Sequence, residues 1–387
     1  MELRMYQYRL YPSRKQTELL FNSFKTCKTI YNELLELSIE TYKTSGKTLK
    51  CYDYNKHLTG KHRELHSQVK QNISDRVYKS FQNFFRRAKD SLYKKKGFPR
   101  FKSSIHSITY PQSGFKFISQ RRLHVSKIGN VPIVLHRIPK GKIKALTIKR
   151  NKAGQWFAIF SCEIDIKPVK HKSKEQVGID VGLEQFATIS NGIAIDNPRH
   201  IKKAEERLNR LQRRVSRKIK GSKNRRKAIH LLAVQHLKVA NQRTDFLHKL
   251  SKEITQKYGF IAVEKLNING MVKNHHLAKH ITDASWDTFI RMLEYKAVTS
   301  GSRLVKINPR NTSKTCSKCG AIADISLNQR QFNCPACGFV CHRDLNASIN
   351  ILKVGRDSPE PNACGHGVRP SHLKAVVDEA GTTQGNI

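Results

Sequence analysis

Two sets of side chains in the second half of the chain have types and spacings that could do chemistry. Cys316-x-x-Cys319 and Cys334-x-x-Cys337 each place two thiols on a tight turn, and two such pairs complete the tetrahedron that one structural zinc ion prefers. Gly320 and Gly338 follow the pairs, as knuckle turns tend to require. Disulfides are the alternative, and Cys341 and His342 are possible substitute ligands. The second set is acidic. Asp180 ends an apolar run between Gly178 and Gly182, Glu264 closes the run Phe260 to Val263, and Asp344 opens the helix-like run Leu345 to Leu352. An Asp beside Gly is most often a turn residue. Three acids, each at the edge of a buried element, nevertheless suit a cage for a divalent cation, because hard ions take oxygen ligands.

Composition restricts what such sites could serve. With 387 residues, two or three domains are expected. Seventy-three Lys and Arg against 29 Asp and Glu give a formal charge of +44, which repels itself unless a polyanion neutralises it. Nucleic acid is the first candidate partner. A membrane surface is the second, although no run of about 18 apolar residues is present to span one. The chain opens on a strand-like pattern rather than a signal peptide. An intracellular, reducing location is expected, in which the nine cysteines stay as thiols.

The elements that must position these residues follow from periodicity. Glu2 to Tyr11 alternates as a strand, and Ser13 with Gln16 makes a capping box that starts a helix. Leu20, Phe24, Cys27, Tyr31 and Leu34 form one helical stripe, and Val69, Ile73, Val77, Phe81, Phe84 and Ala88 a second. The helical module ends in KKKGFPRFK. From residue 104 to 166 the pattern turns to strands: 122–125, 131–135, 143–149 and 156–166, the last two joined by NKAGQ. With the first strand these would close a small barrel. Residues 167–175 read as a linker.

Beyond it, residues 199–227 hold 14 Lys or Arg beside one apolar stripe of Leu208, Leu211, Val215 and Ile219, broken at Gly221. A solvated helix face is the plain reading. So dense a single-sign run points to phosphate contacts instead, with Arg213, Arg214, Arg217 and Lys218 as candidate nucleic-acid-binding residues. A long helix to about Tyr258, the strand bearing Glu264, a helix over 285–300 and a strand over 303–307 complete an α/β domain with acids at strand ends.

GIDVG, AVEKL, TSKTCSKCG, FNCPACG, HRDLNASINIL and the upstream FQNFFRRAKDSLYKKKGFPRFKS, in this order and spacing, resemble TnpB, the transposon-encoded RNA-guided DNA endonucleases related to type V CRISPR effectors. The resemblance runs from RLYPSRKQ to CGHGVRP. It implies a multidomain α+β chain: the first strand of a wedge β-barrel (1–12), a helical recognition lobe (13–100), the rest of the barrel (101–170), an RNase H-like RuvC domain (171–312 and 342–354) with an embedded zinc ribbon (313–341), and a tail from 355 expected to be disordered. By motif position, Asp180, Glu264 and Asp344 are the implied catalytic carboxylates and Cys316, Cys319, Cys334 and Cys337 the zinc ligands. The adjacent Cys341-His342 departs from the pattern.

The implied chemistry is phosphodiester hydrolysis by two Mg²⁺ ions about 3.5 to 4 Å apart. The implied partners are a guide (omega) RNA from the transposon end and double-stranded target DNA, bound by a monomeric ribonucleoprotein in the prokaryotic cytoplasm at the nucleoid. Base pairing would read the sequence while the protein inspects a short adjacent motif. The resemblance suggests Gln71 and Thr109 for that readout. An RNA-guided DNA-binding repressor is the alternative, and would be expected to have lost an acid; all three are present.

Overall fold

A computed structural model of the chain describes residues 2–90, 97–165, 169–326 and 329–358. It divides into two compact units, Met1–Asp165 and Ile166–Ile387. No helix among the described residues is long and apolar enough to cross a membrane.

The first unit opens with strand β1 (Glu2–Leu10), followed by helices α1 (Arg14–Ser45), α2 (Cys51–His57) and α3 (Ser67–Lys89). Strands β2 (Ser107–Pro111), β3 (Phe115–Ser119), β4 (Arg122–Val125), β5 (Gly129–Val134), β6 (Lys142–Arg150) and β7 (Trp156–Ile164) complete it. The Ser13 hydroxyl accepts the Gln16 N–H at 3.2 Å, and the Gln16 side chain accepts the Ser13 N–H at 3.0 Å. This reciprocal cap fixes where α1 starts. Leu20, Phe24, Cys27, Ile30 and Leu34 of α1, with Val69, Ile73 and Val77 of α3, are buried in one core with Tyr6, Tyr8, Ile108, Leu146 and Phe160 of the sheet. Each large apolar side chain so buried stabilises by about 1.5–3 kcal/mol.

The sheet order is β2-β6-β7-β1-β5-β4-β3. The expected closed barrel is therefore corrected: no ladder joins β2 to β3 among the described residues, and the sheet remains open. It curls all the same. Phe115 and Phe117 of β3 reach Phe160 of β7, four strands away in the order, at ring-centroid distances of 6.1 and 5.0 Å. The Tyr110 hydroxyl on β2 donates to the Ser126 carbonyl in the β4–β5 turn at 3.1 Å.

The second unit contains β8 (Gln176–Val181), β9 (Gln185–Ile189), β10 (Ala194–Asp196), α4 (His200–Ser216), α5 (Lys223–Lys257), β11 (Phe260–Glu264), α6 (Ile268–Met271), α7 (His275–Ala284), α8 (Trp286–Ser300), β12 (Arg303–Ile307), β13 (Gln331–Asn333), β14 (Val340–His342) and α9 (Arg343–Asp357). Its main sheet runs β10-β9-β8-β11-β12, with β8, β11 and β12 parallel and β8–β9 an antiparallel hairpin. Alternate residues of β8 and β11 face opposite layers. Val177, Ile179, Ile261 and Val263 pack against α5 and α8 through Leu247, Ile254, Phe289 and Leu293. Phe260 and Ala262 pack with Ile351 of α9. Strands buried on both faces explain the unbroken apolar run FIAV.

Two expectations shift. Arg217 is the C-cap of α4, so Ile219, counted in the apolar stripe, lies in the following turn and is 81% exposed. Helix α9 runs through Asp357, capped by Ser358, past the expected start of the tail at 355; residues from 359 onward lie outside the described residues.

Candidate active site

The register of the parallel strands brings the first two acids together. Val263 pairs with Ile179, so Asp180 and Glu264, each the next residue along its strand, are neighbours at the carboxyl ends of β8 and β11. They share strand parity with Gly178, Phe260 and Ala262, the positions that meet α9. Both carboxylates therefore lie on the face that α9 covers. Asp344, in the first turn of α9, brings the third acid to the same polar cleft of about 290 Å³, which Thr312, Ser313, Arg330 and Arg343 also line. The partial positive charge of a helix N-terminus favours an acid at that position.

Close approach makes this possible. A Cβ on Gly178 would stand 2.1 Å from the Ser348 carbonyl oxygen and 2.7 Å from the Leu352 nitrogen, and one on Gly355 would stand 2.5 Å from the Ala262 Cβ. Helix α9 thus rests closely on the sheet at two points, on the β8 backbone two residues before Asp180 and on the Ala262 methyl group of β11.

The electrostatics are those of crowded anions. Burial, then the charges of Glu264 and Asp344, push the Asp180 carboxyl well above its usual range, against a smaller opposing pull from Arg343. Burial also raises Glu264, offset by the Thr312 hydroxyl, which donates to Glu264 Oε1 at 2.6 Å. Acids held ionised here need cationic neutralisation, the condition a divalent ion meets. Among the described residues, the only group of acids, histidines or cysteines with all ligand atoms within 4.8 Å of one another is Cys316, Cys319, Cys334 and Cys337. The three carboxylates share a cleft without closing on a single point.

In that cysteine group the Sγ atoms of Cys316 and Cys337 are 3.8 Å apart and those of Cys319 and Cys334 are 3.6 Å apart. The edge of a tetrahedron with Zn–S bonds of about 2.3 Å is about 3.8 Å, so the donor set fits zinc; disulfide sulfurs would be near 2.05 Å. Burial opposes the Cys334 thiolate, but the N–H groups of Cys337 and Ala336 and neighbouring thiols stabilise it, lowering its pKa to about 6. Cys341 and His342 lie outside the group. Cys341 sits in β14 opposite Phe332, its thiol pushed up by burial, and His342 Nδ1 accepts the Asp344 N–H at 3.3 Å as the N-cap of α9.

The cysteine knuckle and the acids are mechanically joined. Asn346 donates to the Thr315 carbonyl at 2.7 Å and accepts the Ser317 N–H at 2.8 Å. Asn350 donates to the carbonyls of Thr312 and Thr315 at 2.9 and 2.6 Å. One face of α9 thereby grips the segment that carries both the Glu264 partner and Cys316. At the cleft rim, Arg330 pairs with Glu184 at 2.9 Å.

Thr312, Asn346, Asn350, Arg330 and Arg343 were missed as site residues. Thr312 lies in NTSKTC and Arg343, Asn346 and Asn350 in HRDLNASIN, runs that overlap the recognisable motifs without marking these residues, and Arg330 stands in neither.

The remaining sequence candidates lie apart from the acids. Arg213, Arg214, Arg217 and Lys218 are all exposed at the C-terminal end of α4. In the first unit, Gln71 is exposed on α3, while the Thr109 hydroxyl on β2 accepts from Arg76 Nη2 at 3.0 Å and lies 2.9 Å from the Thr147 hydroxyl.

Residues 159–275 match a family described as a probable transposase, OrfB of the IS605 type, and residues 286–351 match the Cas12f1-like TNB domain. Residues 1–47 match a helix-turn-helix domain, although here they form one strand and one continuous helix. The chain is 33% identical to a candidate RNA-guided DNA endonuclease of Streptomyces pristinaespiralis, over 98% of this chain and 96% of that one. It is 27% identical to InsQ of Escherichia coli K12, a candidate of the same description, over 91% and 92%. A solved structure of a Cas12f1–sgRNA–target DNA complex has a chain of similar fold, with a TM-score of 0.55 and 17% identity over 91% of this chain and 98% of that one.

Proposed function

The chain belongs to the TnpB family of IS605-type transposons, and on that premise we propose that it is an RNA-guided DNA endonuclease whose RuvC-type centre is built from Asp180, Glu264 and Asp344. The observation that carries this reading is the convergence of those three carboxylates, from β8, β11 and α9, on one polar cleft. The first unit then serves as wedge and recognition lobe, and the cysteine knuckle as a zinc ribbon.

Two Mg²⁺ ions bound by the acids would supply an activated water and neutralise charge on the leaving oxygen. The chain's own residues do the positioning. Thr312 fixes the rotamer of Glu264 by its short hydrogen bond, Arg343 offsets part of the negative charge around Asp180, and α9 holds Asp344 over the strand ends through Asn346 and Asn350. The exposed cations of α4 bind phosphates without reading sequence, which is left to an omega RNA transcribed from the transposon end and paired with double-stranded target DNA. Gln71 and the Thr109 hydroxyl, the latter held by Arg76, inspect the adjacent motif. The working particle is one protein chain with one RNA, in a prokaryotic cytoplasm.

The test is to purify the protein with its co-purifying RNA, sequence that RNA, and offer a plasmid carrying the matching target beside a randomised flank. Cleavage in Mg²⁺ that depends on the match supports the reading. Tight guided binding without cleavage would replace it by the repressor function.

A further inference from the structure

The strap that follows α3 displays aromatic rings where packing does not require them. In Gly97-Phe98-Pro99-Arg100-Phe101-Lys102, Phe98 is 47% exposed and Phe101 56%. The strap is fastened at both ends. Arg87 of α3 donates Nη2 to the Gly97 carbonyl at 3.0 Å. Asn32 of α1 clamps both backbone groups of Lys102, donating Nδ2 to its carbonyl at 3.1 Å and accepting its N–H at 2.8 Å. Phe98 is propped edge-on by Phe81 and Phe84, with ring centroids 5.7 and 5.1 Å away, and Pro99 fixes its own φ.

Single exposed apolar side chains need no explanation. Two on one pinned strap, with the exposed Arg100 between them and Arg86 and Lys89 in the adjoining last turn of α3, form a pattern. The core of a protein-binding patch is depleted of charge, and a cation between the rings spoils it for that use. A nucleic-acid strand has a π-face for each ring and a phosphate for each cation, and its bases are free to stack only where they are unpaired.

We propose that this strap is a stacking platform for unpaired bases of single-stranded RNA, with Phe98 and Phe101 taking base faces and Arg100 a phosphate. The choice of RNA rests on the function proposed above, in which the protein carries a guide before it meets DNA. Because the strap is held before the strand arrives, binding loses little conformational freedom in the protein.

The test uses the full chain, free of its own RNA, and a labelled oligouridylate of about 12 nucleotides, within the range of single-strand site sizes. Affinity is read by fluorescence anisotropy across a salt series. Phe101→Ala is expected to weaken binding about 5- to 100-fold with an unchanged salt slope, since no phosphate contact is removed. Arg100→Gln should flatten the slope instead. Phe101→Trp should retain affinity, and its indole fluorescence should be quenched as RNA is added. Unchanged affinity of Phe101→Ala, an equal loss on fully duplex RNA, or an equal loss on oligothymidylate would each overturn the proposal. The assay requires no cleavage, so its failure is distinguishable from failure of the endonuclease reading.

Discussion

The Thr312 hydroxyl and Glu264 Oε1 stand 2.6 Å apart, the geometry of a charge-assisted bond between a loop residue and the last residue of a central strand. Hydrogen bonds to charged groups contribute about 1.5–3 kcal/mol. Thr312→Val, which keeps the side-chain shape and removes the donor, should therefore shift the Mg²⁺ concentration needed for half-maximal cleavage upward by about 10- to 100-fold. Thr312→Ser should stay near the original value. An unchanged Mg²⁺ midpoint in the Val variant would show that Glu264 does not depend on this contact.

Asp180 gives a prediction about pH. Its carboxyl is raised in the folded protein by burial and by two neighbouring acids, so the folded state binds that proton more tightly than the unfolded chain does. The stabilisation from this difference is complete below the ordinary Asp pKa and is lost as pH rises through the raised value. In EDTA at neutral pH, Asp180→Asn should therefore melt higher than the parent, by about 2–4 °C for each kcal/mol relieved, with the gap closing in acid. The same variant should retain RNA and target binding and lose cleavage, as should Glu264→Gln and Asp344→Asn. Parallel melting curves at every pH would contradict the crowding of charge.

The cysteine group predicts one zinc ion per chain, measurable by metal analysis. Cys334→Ser or a strong chelator should lower stability, because structural zinc contributes folding free energy directly. Asn350→Ala separates the roles. It takes the side-chain donor from the Thr312 carbonyl, at a cost of about 1–3 kcal/mol, and leaves the Thr315 carbonyl with Asn346 alone; it should reduce cleavage while zinc content stays at one. Zinc loss in that variant would mean that α9 supports the knuckle itself.

How far these features were legible in the sequence depended on range. The acids and cysteines announced themselves through neighbours within a few residues: glycines, an apolar run, a paired spacing. Helices α1 and α3 were legible because a stripe repeated over many turns. The short α2, α6 and α7 offer too few turns for a period to emerge, and β3 reads FKFIS, whose alternation breaks after three residues. Thr312 and Asn350 escaped notice because a polar residue shows its role only once its partner is near, and Asn350 meets the Thr312 carbonyl from 38 positions away. The strand order β2-β6-β7-β1-β5-β4-β3 is likewise a matter of long-range pairing.

Replacing Arg213, Arg214, Arg217 and Lys218 with Gln removes four exposed cations from the end of α4. If all four neutralise phosphates, affinity should fall evenly across sequences, and the slope of log affinity against log salt should flatten by about 3. A slope that does not move would return these side chains to ordinary solvation.

Helix and sheet meet at Gly178 with no room for a methyl group. Gly178→Ala must push α9 off β8, and a forced fit of this sort costs about 1–3 kcal/mol or more. Lower thermal stability and weaker cleavage are expected together, and a variant that melts and cuts like the parent would show that α9 can shift without consequence.

Because the third carboxylate rides on α9, the order of synthesis becomes a safety interval. A nascent chain that has emerged past β11 carries Asp180 and Glu264 on an uncovered sheet face, and lacks both Asp344 and the helix that seats it. At about 5–20 residues per second, the ribosome needs on the order of 10 s to travel from the first acid to the last. Throughout that time the polypeptide displays its strongly basic surface to any polyanion in reach without the complete set of carboxylates proposed for cutting. On the proposed assignment, loading can begin before severing is possible, and a ribosome that stalls short of α9 would release a binder and not a nuclease.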